Sequence, residues 1–372
     1  MKNKKEGLQF NKRGLSTIVV TLILVVLSLV AVGVVWAVIS NLLKTGEQQS
    51  SSSFGQLFIS LTLQNVNLKT NGDVDVTVQR NSGTGDLKAI NFIVSDGTNS
   101  QVIKKSTTLQ ELGTNTFTLS TSDLGNVGFV KEISISPVVN TNGKETAGNV
   151  VDKKIYATAD AIKNMGAVSW WRLNGNANDE LGNNNGNVVG NVIFSAGKSG
   201  QAASFDGTTS NYIRADSVNN LPLGSSPRTM LAWIKPAGYP DPSYTGVFAY
   251  GTMGCYGKGS LLSMQNSGRL SMAFWCNDAY QAGTTATLNQ WNQIAFTYDG
   301  GTTIKFYING ALADTESLSY GQPAATLNGP LRIGCTDDPG RCFNGQIEDA
   351  MIFNRELTAN QIAGLYNTDL SK

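Results

Sequence analysis

Apolar side chains are spaced along the chain in three different ways. From Gly14 to Leu43 there is no charged residue, and Leu15 to Ile39 is Leu, Ile, Val and Ala broken only by Ser16, Thr17, Thr21, Ser28, Gly33 and Trp36. At ~1.5 Å per residue that run spans roughly 37 Å as a helix, enough to cross a hydrocarbon core of about 30 Å with some tilt. The pattern predicts a membrane helix over residues 15–43, followed by a polar linker, residues 44–53, that ends in four serines. After it the period drops to two. Val74-Asp75-Val76-Thr77-Val78, Ile90 to Val94 and Ile133-Ser134-Ile135 alternate, with turn signals at Asn71-Gly72, Asn81-Ser82-Gly83, Asp96-Gly97 and Asn142-Gly143. Roughly seven short strands in about 100 residues predict a small β-sandwich over residues 54–156. Residues 157–167 read as a connector. A second β-rich unit, residues 168–372, holds every tryptophan except Trp36 and all four cysteines. The fold class expected is mainly β.

Composition narrows the chemistry. Charged residues are only 15% of the 372, against ~25% in an average globular protein, while Gly numbers 40 and Asn 36, which favours strands and loops over long soluble helices. The chain has no histidine. That removes Ser-His-Asp and Cys-His catalysis, histidine-liganded zinc and an imidazole pH switch. Met1 to Gly14 carries five basic residues against Glu6 alone, and the rest of the chain holds 23 basic and 26 acidic residues, net −3. The body therefore offers no electrostatic case for binding nucleic acid. The same basic cluster, ahead of the apolar run, predicts a cytoplasmic N-terminus with everything after Leu43 outside the cell membrane, at the cell surface.

The small residue that precedes the apolar run, in Lys12-Arg13-Gly14-Leu15-Ser16-Thr17, resembles the class III signal of archaeal type IV pilins and archaellins. The resemblance implies cleavage after Gly14, with residues 1–14 as signal and Leu15 as the first mature residue, and possible self-assembly of the helix into a filament core. Val19 stands where bacterial pilins carry glutamate. A plain single-pass anchor is the alternative. Arg80-Asn81-Ser82-Gly83-Thr84-Gly85-Asp86-Leu87, leading into Phe92-Ile93-Val94-Ser95-Asp96-Gly97, is similar to the head domain attached to archaeal pilin-like proteins; the blander reading is a stalk sandwich.

Five motifs follow in order in the last unit: Ala203-Ser204-Phe205-Asp206-Gly207, Arg228 to Pro236, Trp291 to Gly300, Lys305 to Gly310 and Phe343 to Arg355. This series resembles the laminin-G-like, concanavalin A-like jelly-roll domain. Trp233, Ile234, Phe296, Tyr298, Phe306 and Ile308 are expected in a two-sheet core, with turns at Asp299-Gly300 and Asn309-Gly310. Thr358-Ala359-Asn360-Gln361 reads as a capping box opening a short C-terminal helix.

Four cysteines in an exported unit point to disulfides, and three connectivities are possible. The short separation favours Cys335 with Cys342, leaving Cys255 with Cys276, and neither pair has zinc-site spacing. Catalysis is not expected. Glucanases of the resembled fold carry Glu-x-Asp-x-x-Glu on one strand, whereas here Glu348 and Asp349 are adjacent, so a regular strand points them to opposite faces. The loop Asn174 to Asn183 is rich in hard oxygen donors, and the resemblance carries a calcium site onto Asp179, Asn183 and Asp349, with Asp206 as an addition; the competing reading is that these residues make side-chain-stabilised turns. Glycan or protein binding is the resembled family's common role, with Tyr239, Tyr244, Tyr256, Tyr280 and Asn277-Asp278 as candidate surface groups. No Asn-x-Ser/Thr sequon occurs. The expectation is a cell-surface adhesion protein, membrane-anchored or pilin-like, that binds an extracellular carbohydrate or protein; the alternatives are a filament or envelope subunit with a passive jelly roll and, less favoured, a glycoside hydrolase.

Overall fold

The computed structural model describes residues 59–370 except 70, 142, 240–243, 253–257, 282 and 337–340. The apolar segment 15–43, the Gly14–Leu15 junction and the linker 44–53 lie outside the described residues. Among those described, no helix is long and apolar enough to cross a membrane.

The first unit is a two-sheet β-sandwich. One sheet runs β1 (Leu61–Leu68), β2 (Val74–Arg80), β5 (Thr114–Leu119). The other runs β4 (Ser100–Ser106), β3 (Leu87–Ser95), β6 (Glu132–Thr141), β7 (Lys144–Ala147), with β8 (Asp152–Ile155) also paired to β6. The period-two pattern is the cause: Val74, Val76 and Val78 are buried while Asp75 and Thr77 between them face outward, and the inward rows of both sheets meet in one core with Phe92 and Phe117. A one-turn helix, α1 (Thr121–Leu124), is closed by a capping box between Ser120 and Asp123.

The second unit is a larger two-sheet sandwich, entered through α2 (Thr158–Asn164). Its strands are β9 (Ala167–Trp171), β10 (Asn187–Val189), β11 (Ile193–Ala196), β12 (Gln201–Asp206), β13 (Tyr212–Ala215), β14 (Arg228–Gly238), β15 (Tyr244–Gly251) and β16 (Gly259–Gln265). They continue as β17 (Leu270–Ala273), β18 (Ala279–Tyr280), β19 (Asn292–Tyr298), β20 (Thr303–Ile308), β21 (Ala311–Ser317), β22 (Leu331–Ile333) and β23 (Asn344–Phe353). A seven-stranded sheet has the order β10-β13-β22-β15-β16-β17-β18, and an eight-stranded sheet the order β11-β12-β23-β14-β19-β20-β21 with β9 beside β23. Ile234, Phe296, Tyr298, Phe306 and Ile308 lie between the sheets as expected. Trp233 does not. Neighbours on a strand point to opposite faces, so burying Ile234 turns Trp233 outward, where its ring stacks on Tyr366 at 5.4 Å. The turn at Asn309-Gly310 has both residues at positive φ, 52° and 78°, as a tight hairpin of that sequence requires.

The outer face of the eight-stranded sheet is covered. Trp170, Leu231, Met351 and Phe353 project from it into a third apolar cluster with Ile362 and Leu365 of α3 (Ala359–Asn367) and Phe129 of the first unit. α3 opens with the expected capping box, Thr358 with Gln361. Its Gly364 lies against Gly128 so closely that a Cβ on either would overlap the other's Cα. Asn360 Nδ2 donates to the Gly125 carbonyl at 2.7 Å and Arg355 Nη1 to the Lys69 carbonyl at 3.2 Å. The two sandwiches are thus joined by packed backbone rather than by a bare linker.

Candidate ligand-binding face

The buried residues of the described helices pack in the first unit's core or at the seam, and among the described residues no helix packs on the outer face of the seven-stranded sheet. Register assigns them. Ile213, Met264, Leu270, Met272, Ala279, Leu331 and Ile333 point into the core, so the residues alternating with them, Tyr212, Arg214, Ser263, Ser271, Tyr280 and Arg332, point out. Tyr244, paired with Gln265, shares that side.

Tyr244 and Tyr280 stack at 5.7 Å between ring centroids, and the Arg341 guanidinium lies 5.4 Å from the Tyr244 centroid, so the three form a ladder. Tyr280 is 40% exposed and donates its hydroxyl to Asp278 Oδ2 at 3.0 Å. Burial pushes the Asp278 carboxyl above its ordinary range, against the hydrogen bond from Tyr280 and the charge of Arg341. Burial, the Tyr244 hydroxyl and the Asp278 charge push the Tyr280 phenol up as well. The Tyr280 hydroxyl therefore stays protonated and donating at neutral pH.

Two loops hold this ladder in place. The turn before β18 puts two successive non-glycine residues, Trp275 and Cys276, at φ of 56° and 67°, a conformation costing about 1–2 kcal/mol per residue. The surroundings enforce it. Cys276 is disulfide-bonded, Asn277 Nδ2 donates to the Gln322 carbonyl, the Tyr320 amide donates to Asn277 Oδ1, and the Asp278 amide donates to Ser319 Oγ. Backbone strain held this firmly is characteristic of functional sites. The clamp also sets Tyr320, 60% exposed, next to the Asp278 backbone. The second loop is closed by the Cys335–Cys342 disulfide. Within it the Arg341 carbonyl accepts from the amides of Gly246 and Thr336, both at 3.3 Å, and a Cβ at Gly246 would overlap Thr336.

Of the surface groups expected from sequence, the fold brings together Tyr244, Tyr280 and Asp278. Asn277 is a buried clamp, Tyr239 packs partly against the core with its hydroxyl near Gly268, and Tyr256 lies outside the described residues. Arg341, Trp275 and Tyr320 were not singled out. The Cys335–Cys342 pairing is as expected, Cys276 is bonded too, and its expected partner Cys255 lies outside the described residues.

The residues expected to hold calcium do other work. Asp179, 4% exposed, accepts four backbone amides: Oδ1 from Trp170 and Leu181, Oδ2 from Asn183 and Asn184. Those bonds occupy the roughly four lone-pair positions of a carboxylate. Asn183 turns its side-chain amide to the Val168 carbonyl. Asp206 caps its own turn through Thr208 and Asn211. Asp349 accepts the Trp170 indole N–H at 2.8 Å. The side-chain-stabilised turns expected as the competing reading are present, and among the described residues no three acidic or cysteine side chains converge on a metal position.

Glu348 and Asp349 need a correction. They do not point to opposite faces, because β23 bulges there: Asp349 takes φ 50° and the register to β14 slips by one residue. Ile347 and Ala350 both face the core, which leaves Glu348 and Asp349 together on the outer face of the eight-stranded sheet. Both are sealed, at 1% and 5% exposure. Glu348 accepts the Lys198 and Ser199 amides, at 2.6 and 3.0 Å. Burial, which outweighs those bonds, and then the Asp349 charge push its carboxyl up to about 7, and burial pushes Asp349 up to about 6.

Residues 206–363 match the Laminin_G_3 family model, described as the concanavalin A-like lectin/glucanases superfamily. This stretch is a concanavalin A-like jelly roll. No curated protein matches the chain. Among solved structures, the chain is similar to domain 4 of AbnA, a GH43 extracellular arabinanase from Geobacillus stearothermophilus in complex with arabinotriose: 21% identity, TM-score 0.43, covering 56% of this chain and 98% of that one. It is also similar to the binding domain of botulinum neurotoxin serotype G, at 19% identity and TM-score 0.43, covering 54% and 50%. The binding domain of Paraclostridial Mosquitocidal Protein 1 gives 17% identity and TM-score 0.45, covering 54% and 52%. The chain spans about half the length of these two toxin domains.

Proposed function

We propose that this is a cell-surface recognition protein, anchored or polymerised through its N-terminal apolar segment, whose jelly roll binds an extracellular glycan on the outer face of the seven-stranded sheet. The observation that carries this is the Arg341–Tyr244–Tyr280 ladder with Asp278, flanked by exposed Tyr320 and held by two disulfide-bonded loops. A flat aromatic ring presents an apolar face to a sugar ring, and the carboxyl and guanidinium groups beside it take sugar hydroxyls; fixing them in advance lowers the cost of ordering on binding. The reading is non-catalytic. Glu348 and Asp349, adjacent on a common face, are buried at 1% and 5% exposure, Glu348 against the Lys198 amide and Asp349 against the Trp170 indole. Calcium is left out of this reading: Asp179 accepts four backbone amides, Asp349 accepts the Trp170 indole N–H, and Asp206 holds its own turn through Thr208 and Asn211.

The test is binding of the full chain to an array of plant, microbial and animal glycans, with Tyr280→Ala and Tyr320→Ala alongside. A ligand whose affinity falls more than about tenfold in Tyr280→Ala, with melting temperature held, supports the site. Full affinity in both variants refutes it.

A further inference from the structure

We infer that the cleft between the two sandwiches is a binding site for a small neutral molecule with an apolar body and a carbonyl oxygen. It concerns a different surface from the glycan-binding face and stands independently of that reading.

The cleft measures about 360 Å³, within the roughly 300–1,000 Å³ of small-molecule sites, which occur preferentially at domain interfaces. The first unit contributes Leu68, Leu124, Val127 and Phe129 to its lining, and the second contributes Met165 and the start of α3, Thr358 to Gln361. These apolar side chains are anchored. Leu124 and Val127 belong to the first unit's core, and Phe129 and Met165 to the cluster at the seam. Gly128 lines the cleft too, and its backbone contact with Gly364 sets the separation of the two units there before a ligand arrives.

None of the described residues that line the cleft carries a charge. An ionic ligand would lose its water there without gaining a counter-charge. Gln361 supplies a directed donor. Its Oε1 accepts the Thr358 amide at 3.0 Å and Arg355 Nη2 at 3.1 Å. Two donors on one end of the side chain assign that end as oxygen and put the NH₂ group on the other. Among the described residues nothing accepts from this NH₂ group, although Gln361 is only 7% exposed. Gly72 lines the same cleft, and a Cβ on it would lie 3.6 Å from Gln361 Nε2 and only 2.7 Å from Thr121 Cγ2. The glycine, at φ 91°, keeps that space free. A buried N–H without an acceptor is costly, and a carbonyl oxygen arriving beside it removes the cost. Carbonyl is favoured over hydroxyl because it accepts without bringing a further donor into an apolar cleft. The body of the ligand then lies on Leu124, Phe129 and Met165, where its burial adds affinity.

The experiment follows the methyl signals of carbon-13-labelled methionine in the full chain, held in micelles, during titration with acetophenone, ethylbenzene and benzoate. Met165 should shift saturably with acetophenone, at least about tenfold more weakly with ethylbenzene, which lacks the oxygen, and not with benzoate. Met230, Met264 and Met272, buried inside the jelly roll, should stay in place throughout. Gln361→Glu keeps a capping-box residue and an oxygen for Thr358 and Arg355 but exchanges the NH₂ donor for an acceptor. Its acetophenone affinity should fall about tenfold, with a melting temperature no lower than wild type. A Met165 signal unmoved by acetophenone up to its solubility limit overturns the inference. Equal affinity for acetophenone and ethylbenzene, binding of benzoate as tight as that of acetophenone, or undiminished acetophenone binding in Gln361→Glu overturns it as well.

Discussion

Replacing Asp179 by alanine tests the account of the 174–186 loop most directly. The carboxylate accepts the amides of Trp170 at 2.8 Å, Leu181 at 3.0 Å, Asn183 at 3.2 Å and Asn184 at 3.0 Å. The Trp170 and Asn184 bonds are buried, so removing their acceptor leaves two donors away from water at about 1–3 kcal/mol each. The other two are partly exposed and can turn to solvent. The expected loss is about 4 kcal/mol. It spreads, because Asn184 also bonds Ser169 and the Asn219 backbone, and its carbonyl takes the Trp171 indole N–H. For a unit of this size about 4 kcal/mol lowers the melting temperature by roughly 8–16 °C. Calorimetry of the full chain measures it. Asp179→Asn should be no milder, since its NH₂ group would face backbone donors. The loss should be the same in calcium and in chelator. A melting temperature within about 2 °C of wild type in Asp179→Ala would refute the reasoning, and so would a loss that appears only with calcium present.

Further predictions concern the seam and the buried acids. Glu348 and Asp349 have carboxyls raised in the folded state from ordinary values of 4.5 and 3.8 to about 7 and about 6, so their contribution is fully present below about pH 4 and is lost as pH rises to about 7. The jelly roll's thermal unfolding, followed from pH 4.5 to 7.5, should therefore shift downward by a few kcal/mol's worth of stability, and Glu348→Gln should flatten the slope; a slope unchanged in that variant contradicts the assignment. Gly364→Ala would gain up to about 1 kcal/mol in an isolated helix, but the Gly128 backbone leaves no room for the Cβ. The variant should be destabilised and more open to proteolysis between the sandwiches, and a stabilised variant would show that the seam is loose.

Much of the fold is legible in the chain. Alternation at Val74–Val78 builds β2, Asn309-Gly310 forms its tight turn, Thr358 and Gln361 cap α3, and Cys335 pairs with Cys342. These are local features, decided by backbone sterics and by side chains a few residues apart. The ligand face is only half legible. Tyr244, Tyr280 and Asp278 stand out as aromatic and acidic groups in turn-rich stretches, whereas Arg341 is one arginine among many until the disulfide loop lays it on Tyr244. The strain at Trp275 and Cys276 leaves no mark in composition, since neither is a residue that favours positive φ.

By itself the sequence determines the mainly β class, the jelly roll's motif order, the absence of imidazole chemistry and an apolar segment ahead of the body, because each follows from residue identity and period. Tertiary structure alone decided which partner each polar group has. One left-handed residue at Asp349 moves two carboxylates onto the same face and seals them; three loop amides and the Trp170 amide of β9 converge on Asp179; two arginines become neighbours because β13 and β22, far apart in the chain, pair in one register. A carboxylate or guanidinium is satisfied by whatever reaches within about 3 Å of it, and that distance is set by packing of segments that sequence order does not bring together.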